Sequence, residues 1–563
     1  MNALKLNVIL MFVRNLYKTL AFYICVVLAV VVALELFPHK KINDRSSDEF
    51  SALRVSDDIR VISKEPHSIQ HPKERKVLAE FLFHRLQQMG GATQMLEYDT
   101  IPSKIGGEFF YKNIYSVFEP GGNSLPDSLR KYILLVAHYD SRFRQIVGKD
   151  TVFSYGAADD GYGVGVILEL AGNALKYRNE WKQGVKVLFT DAEEHNLDGM
   201  RSAFARNPEV FEGVNFVVNV EARGVKGPAL LFETSPGNEK VMQLYANAKN
   251  PSGMSLTTAV YRYLPNDTDF SVVKDSIPGI NLAVIDNLHY YHTDKDNFSN
   301  ISLESIHHYG EQLEPVLKEY LVNEDYASDD ALKGEDDLVF FALPVLGMFV
   351  FSKTGYLVMN IAFYALFLFV LFVYVRYKMI PFKGILRALV HVVVFMVVAC
   401  AGATAAVWLD ALHYGFGYSL IDLKYLPNDN KVALAFTLVF AVWILVFSRL
   451  QERRHKLYAW NLLLASQIVA GVVSLALLIV FGENFFIFIP FAFATVALFF
   501  SVAKNFKWLY LVSCTITVLV AVHFLYLLYV ALTVGALGVI MLLSVVYLSL
   551  VISQYYCMKR RVL

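Results

Sequence analysis

The chain has 563 residues, of which 55% are hydrophobic and only 18% charged, and its mean hydropathy is +0.41. That is too apolar for a wholly soluble protein and too long for one domain. Lysine plus arginine and aspartate plus glutamate balance at 51 each, so no basic excess points to nucleic acid as a partner.

Apolar residues are unevenly placed along the chain. Near the start, LAFYICVVLAVVVALELF (Leu20–Phe37) is long enough to cross ~30 Å of hydrocarbon. Lys5, Arg14 and Lys18 precede it. The run is long for the apolar core of a signal peptide and no small-residue cleavage site follows, so it reads as an uncleaved anchor. Residues 1–37 are therefore assigned to a cytoplasmic N-terminus and a first transmembrane helix, and 38–325 to a globular domain. A linker or membrane-proximal segment is expected over 326–353, where the Pro-interrupted piece Leu338–Phe351 is too short for a span and is expected to pack on the membrane face or on the globular domain. Residues 354–556 read as seven further spans, near 354–375, 385–409, 432–449, 458–481, 485–503, 508–529 and 533–555, and 557–563 as a basic tail. The connectors 376–383, 449–456 and 504–507 and the tail residues Lys559, Arg560 and Arg561 are basic, and all fall on the side of the N-terminus. By the positive-inside rule both termini are cytoplasmic. The globular domain then faces the periplasm of a bacterium, or the lumen of a vacuole or endoplasmic reticulum, and the lipid bilayer is a partner. The spans hold few polar groups; His391 and His523 are expected to hydrogen-bond between helices rather than relay protons, and Gln467 is a further polar residue. Cys25, Cys400, Cys514 and Cys557 all lie in spans or the tail, which leaves the globular domain without a cysteine ligand or disulfide.

Within the globular domain, residues 71–90 form an amphipathic helix with Pro72 near its first turn. YILLVAHYD (132–140), VKVLFTD (185–191), FVVNVEARG (216–224) and INLAVID (280–286) are short, β-branched runs bounded by polar turns, and read as buried strands. A helix over 161–178 lies between the first two. This alternation predicts an α/β fold with a mostly parallel central sheet flanked by helices.

Chemistry-bearing residues gather at the carboxyl ends of those strands, where open α/β sheets bind ligands. His138 and Asp140 end one strand, Asp159 and Asp160 open a helix, DAEEH (191–195) follows another strand, Glu221 ends a third and His292 follows a fourth. Carboxylates as close as Asp191, Glu193 and Glu194 repel one another unless a cation joins them. Two histidines with three carboxylates suit zinc. Five ligands are too many for one tetrahedral ion with a position left open, and the right number for two ions sharing a carboxylate.

The segments VAHYDS (136–141), YGAADDGYGVGVILELA (155–171), FTDAEEHNLDGMRSAF (189–204), NVEARG (219–224) and YYHTDKDN (290–297) resemble, in order and spacing, the co-catalytic di-zinc exopeptidases. That family includes leucyl aminopeptidases, glutamate carboxypeptidase and glutaminyl cyclase. With PHSIQHPKERKVLAEFLFHRLQQMG (66–90) ahead of them, the resemblance covers about 60–310. The membrane plan and LPNDTDFSVVKDSIPGINLA (264–283) are similar to the branch of vacuolar membrane proteases and endoplasmic-reticulum metallopeptidases. The resemblance implies a zinc exopeptidase-like fold holding two zinc ions per chain. His138 binds one zinc, and Asp159, the aspartate of the Gly-Ala-x-Asp motif at Gly156, bridges both. Glu194 and Glu221 each ligate one, and His292 completes the second site. Glu193 is the implied general base, passing its proton to the leaving amine. Asp140 is expected to orient His138, and Tyr291 to donate to the oxyanion. Arg223, Asp267 and Asp269 are candidate substrate contacts; Asp191 stays open between a supporting role and a plain turn. The implied function is a membrane-bound zinc metallopeptidase acting on peptides, an aminopeptidase. A glutaminyl cyclase-like acyltransferase and a non-catalytic peptide receptor or transporter are the alternatives. Assembly into a homo-oligomer stays open.

Overall fold

The computed structural model describes residues 2–35, 41–122, 130–147, 150–261, 267–421, 423, 426–501 and 506–559, with side chains from Leu16 onward. The readings on Leu36–Phe37, 264–266, Lys504, Arg560 and Arg561, and on the side chains of Lys5 and Arg14, lie outside the described residues. Two compact units result: Leu36–Lys353, and Met1–Glu35 together with Thr354–Leu563.

The first unit is built on a seven-stranded sheet. Its strands are β1 (Ala92–Glu97), β2 (Lys112–Phe118), β3 (Tyr132–His138), β4 (Gly184–Thr190), β5 (Val214–Ala222), β6 (Leu230–Thr234) and β7 (Gly279–Val284). Their spatial order is β1-β2-β4-β3-β5-β7-β6. The four central strands β4, β3, β5 and β7 run parallel. The outer strands join antiparallel, so the sheet is mixed, with its parallel part in the middle. All seven residues of β3 and of β4 are buried. Both faces of these strands are covered, which is why they read as unbroken apolar runs. β1 (ATQMLE) is mostly exposed or half-buried and carries no such signal.

Side chains alternate between two cores. Ile133, Leu135 and Ala137 pack on one face with the helices Ala52–Ile62, Gly161–Ala174 and Leu303–Val322. Leu134 and Val136 pack on the other with Met200, Ala203 and Phe270. Each fully buried aliphatic contributes roughly 1.5–3 kcal/mol. One close approach in the first core depends on a glycine. A Cβ on Gly310 would stand 2.1 Å from Cδ1 of Phe50, a ring only 2% exposed. Gly310→Ala is therefore expected to destabilise the domain by about 1–3 kcal/mol. Its melting transition should drop by roughly 2–10 °C, and an unmoved transition would mean that Phe50 yields freely.

The stretch 326–353 falls within the first compact unit. Leu338–Leu343 and Gly347–Ser352 form an antiparallel hairpin, turned at Pro344. Val339 and Phe340 are buried, and Ser255 Oγ donates to the Phe340 carbonyl at 3.0 Å. Of the two packings expected for this apolar run, membrane face or domain, the buried strand Leu338–Leu343 takes the second.

The second unit is helical. Among the described residues, seven helices are long and apolar enough to cross a membrane: Leu16–Ala33, Lys353–Arg376, Phe382–His413, Asp429–Arg454, Tyr458–Phe481, Trp508–Leu532 and Val534–Lys559. Phe485–Phe500, expected as an eighth, has 16 residues and spans about 24 Å. His523 Nδ1 lies 3.1 Å from the Ala33 carbonyl, and Gln467 Nε2 donates to the Phe491 carbonyl at 3.3 Å. Both are contacts between helices. His391 sits edge-on to Phe447 at 5.0 Å.

Candidate metal centre

His138 is the last residue of β3 and is 1% exposed. Its Nδ1 lies 3.0 Å from the main-chain carbonyl of Asp140 and 3.5 Å from that residue's Oδ1. The carbonyl can only accept, which places the proton on Nδ1 and leaves the Nε2 lone pair free. Nε2 faces Asp159 Oδ1 at 3.2 Å and Glu221 Oε2 at 3.7 Å. Asp140 thus meets the ring chiefly through its main-chain carbonyl, with its carboxylate farther off. Its Oδ1 instead accepts the Glu193 N–H at 3.0 Å and ties the DAEEH turn to β3.

Asp159 lies between the two imidazoles. Oδ1 faces His138, and Oδ2 stands 3.2 Å from His292 Nε2. The adjacent Asp160 also comes close enough to His138 and Glu221 to share a cation with them. Both of its oxygens are engaged, however. Oδ1 accepts from Gly163 N at 3.0 Å, capping the helix Gly161–Ala174, and Oδ2 accepts from His138 N at 3.3 Å. Asp159 is held from behind by Asp296, which sequence reasoning did not single out. Asp296 accepts the N–H groups of Ala158 at 2.7 Å and Asp159 at 3.3 Å, and the Ser154 hydroxyl at 3.1 Å. Burial, and then the charge of Asp159, push it up to about 7.

The DAEEH turn is bent by two non-glycine residues in the left-handed region. Ala192 (φ 58) and Leu197 (φ 56) bracket the single helical turn Glu193–Asn196. Such conformations cost about 1–3 kcal/mol each and cluster at functional sites. Glu194 Oε1 stands 3.1 Å from His292 Nε2. Its Oε2 accepts from Arg142 Nη1 at 2.8 Å, a second partner that the sequence did not reveal. Burial works against the Glu194 carboxylate, but His292 and Arg142 outweigh it and hold the group well below its usual range. Glu193 is half-buried. Desolvation raises its carboxyl well above normal, with Glu221 and Glu194 adding to the effect and His138 opposing it. Glu221, near the end of β5, accepts from Asn219 Nδ2 at 3.3 Å, and its carbonyl accepts the Tyr309 hydroxyl at 2.5 Å. Burial pushes Glu221 up to about 8.

The remaining candidates sort by exposure. The Tyr291 ring stacks on His292, with centroids 3.6 Å apart. Asp269 is fully buried and accepts the Thr190 hydroxyl, so it presents no surface to a substrate; its assignment as a substrate contact is corrected to a support beneath the site. Asp267 is exposed, and Arg223 is half-buried. Asp191 accepts from Lys112 N and the Tyr139 hydroxyl and pairs with Arg75 at 3.3 Å, so it anchors the turn. His195 is likewise structural, bound to Asp198 at 2.7 Å and accepting from Lys104 N at 2.9 Å.

Two groups of donors can each hold a cation: His138, Asp160 and Glu221, and Asp159, Glu194 and His292. Asp159 Oδ2, Glu194 Oε1 and His292 Nε2 are buried and make no hydrogen bond among the described residues, although His292 Nε2 stands 3.2 Å from the first and 3.1 Å from the second. Donors ~2.0–2.1 Å from one tetrahedral ion stand about 3.3 Å from each other. The residues therefore fit zinc, by spacing and by donor type.

Residues 113–317 match the family model described as peptidase family M28, so the chain carries an M28 peptidase domain. Endoplasmic reticulum metallopeptidase 1 of Rattus norvegicus is 32% identical over 251 residues, which are 43% of this chain and 26% of the relative. The vacuolar membrane protease of Candida tropicalis is 29% identical over 263 residues, 45% of this chain and 27% of the relative. The matches thus span about a quarter of the length of these curated relatives. Among solved structures, Porphyromonas gingivalis glutaminyl cyclase aligns with a TM-score of 0.38 at 22% identity, over 48% of this chain and 99% of that one.

Proposed function

We propose that this M28 domain is a zinc-dependent exopeptidase of the aminopeptidase type, with two zinc ions per chain. The observation that carries the reading is the sharing of Asp159, one carboxylate oxygen towards His138 and the other towards His292. His138 and Glu221 would hold one ion, His292 and Glu194 the other, and Asp159 both. Zinc, when bound, lowers the pKa of its water to ~7 and polarises a carbonyl.

The chain's own residues supply the rest. The Glu193 carboxylate takes a proton from the attacking water and returns it to the nitrogen of the leaving amine. The Asp140 carboxylate keeps Glu193 in place by accepting its N–H. Arg142 locks the second oxygen of Glu194, so that only Oε1 is offered to the centre. The Tyr291 hydroxyl donates to the carbonyl oxygen as it gains charge. Asp269 and Asp267 are given no part in this mechanism.

The helical unit would sit in a bilayer, with the residues before Leu20 and the basic tail in the cytoplasm. The peptidase unit, extended to include the hairpin Leu338–Ser352, would then face the periplasm or an organelle lumen. Purified full-length protein is expected to hold about two zinc ions and to release single residues from peptide N-termini in a library digest read by mass spectrometry. A chelator should abolish that release and zinc should restore it. Loss of ammonia from Gln-initiated peptides, without release of free amino acid, would replace the peptidase with a glutaminyl cyclase.

A further inference from the structure

We infer that Asn219, Asn281 and Glu233 form a buried row that positions the Glu221 carboxylate and ties it to the ion pair of Glu233 with Lys274. Residues remote from the centre then set how tightly Glu221 holds metal. This rests on the reading of Glu221 as a ligand and deepens it.

The row follows from the register of the sheet. Asn219 on β5 lies opposite Asn281 on β7, and Asn281 lies opposite Glu233 on β6. Side chains two apart on a strand share a face, so Asn219 projects to the same side of the sheet as Glu221. Asn219, Asn281 and Glu233 are at most 2% exposed. Asn219 Nδ2 donates to Glu221 Oε1 at 3.3 Å and to Asn281 Oδ1 at 3.0 Å. Asn281 Nδ2 donates to Glu233 Oε2 at 3.3 Å and to the Thr268 hydroxyl at 2.9 Å. Glu233 Oε1 accepts from Lys274 Nζ at 2.5 Å. An unbroken chain of hydrogen bonds therefore leads from Glu221 to Lys274.

The chain has one direction, set at its far end. A carboxylate in an ion pair accepts and cannot donate, so Glu233 turns the amide nitrogen of Asn281 towards itself. That leaves the Asn281 oxygen for Asn219, which answers with its own nitrogen. The second hydrogen of that nitrogen reaches Glu221 Oε1, and Glu221 Oε2 is left facing His138 Nε2 at 3.7 Å. Reversing Asn219 would set oxygen against oxygen at both of its contacts, and reversing Asn281 would do so at Glu233.

This orientation is unfavourable for Asn219 itself. Its Oδ1 is buried and has no hydrogen-bond partner among the described residues. Such an orphaned acceptor calls for a reason, and an apolar side chain at this position would avoid it. The need for the nitrogen at Glu221 supplies the reason. Glu194 is held in a comparable way, with Arg142 on Oε2 and Oε1 left to the centre. Glu194 and Glu221 thus each have one oxygen fixed from outside the ligand set, the first by a guanidinium and the second by an amide row.

The test uses full-length protein, stripped of metal and titrated with zinc against a chromophoric chelator. Asn219→Leu, similar in shape but without a donor, should weaken the binding of one zinc ion by ~10–100-fold. Glu233→Gln keeps the shape of the row but releases its direction, and should weaken the same ion by roughly 2–30-fold. The double variant should bind zinc no more weakly than Asn219→Leu alone, because Glu233 reaches Glu221 through Asn219. Additive losses would mean that Glu233 acts by its charge, and they overturn the proposal. Metal-free melts report packing separately: lowered melts with unchanged zinc affinities would make the row merely structural and overturn it too. Should Asn219→Leu fail to fold, Asn219→Ala takes its place in the same comparison. A parent that binds zinc but cleaves no peptide ends the peptidase reading and leaves the row to be judged on zinc affinity. A parent that binds no zinc overturns both.

Discussion

Replacing Glu193 by Gln is expected to lower turnover by roughly 10²–10⁴-fold while leaving zinc content at that of the parent. The geometry separates the two neighbours on which this rests. Glu194 is spoken for on both oxygens, one at His292 and the other at Arg142. Glu193 is half-buried and fixed through its backbone, by the N–H bond to Asp140. Burial raises its carboxyl, His138 opposes the rise, and Glu221 and Glu194 add to it. Desolvation and like charge raise it, as they do for carboxylates that handle protons near neutrality. Gln keeps the shape and removes only the capacity to hold a proton. Turnover within threefold of the parent would take Glu193 out of the chemistry. Lost zinc would instead make it a ligand.

The second large effect concerns Asp159→Asn. Losing the shared carboxylate should weaken zinc binding by more than the ~10–100-fold typical of an outer hydrogen-bonding partner. The sign of the stability change depends on zinc. Without metal, Asp159 is one of a crowd of buried acids with Asp160, Glu194 and Glu221, and neutralising it removes repulsion, so the metal-free variant should melt no lower than the metal-free parent. With zinc at 100 times its dissociation constant the parent gains about 2.7 kcal/mol, and the variant should gain almost none. Thermal melts of both proteins with and without zinc measure this directly. An equal zinc-induced shift in the two proteins would show that Asp159 does not join the ions.

Five side chains from distant segments, His138, Asp159, Glu194, Glu221 and His292, were singled out in the sequence, and they do come together. Their legibility has a physical cause. Each sits where a buried strand or a glycine-rich turn delivers it to the sheet's carboxyl edge, and both features leave clear marks in composition. What supports them left no such mark. Asp296 is one acid among several in YYHTDKDN, and only its burial behind Ala158 and Asp159 sets it apart from the exposed Asp294. Arg142 lies beside a recognisable motif, but its pairing with Glu194 spans 52 residues of chain. Asp269 misled for the same reason: a short polar segment such as DTDF does not reveal that one of its aspartates is fully buried.

The membrane boundary blurred in a similar way. For Leu338–Phe351 hydropathy left membrane face and domain as alternatives, and the antiparallel pairing that buries Val339 and Phe340 against the domain cannot be read from it. The strands outside the parallel core carry weaker signals: polar Thr93 and Gln94 interrupt the edge strand β1, and polar Asn113 and Ser116 interrupt β2 beside it.

By itself, then, the order of residues determined the α/β character, the apolar helices and the set of chemically competent side chains, because burial on both faces of a strand and length in a helix are local properties written in composition. Tertiary structure alone decided which of two adjacent aspartates lies between the imidazoles and which of two adjacent glutamates has both oxygens engaged. Those distinctions depend on distances of about 3 Å between groups far apart in the chain, and no local pattern encodes them.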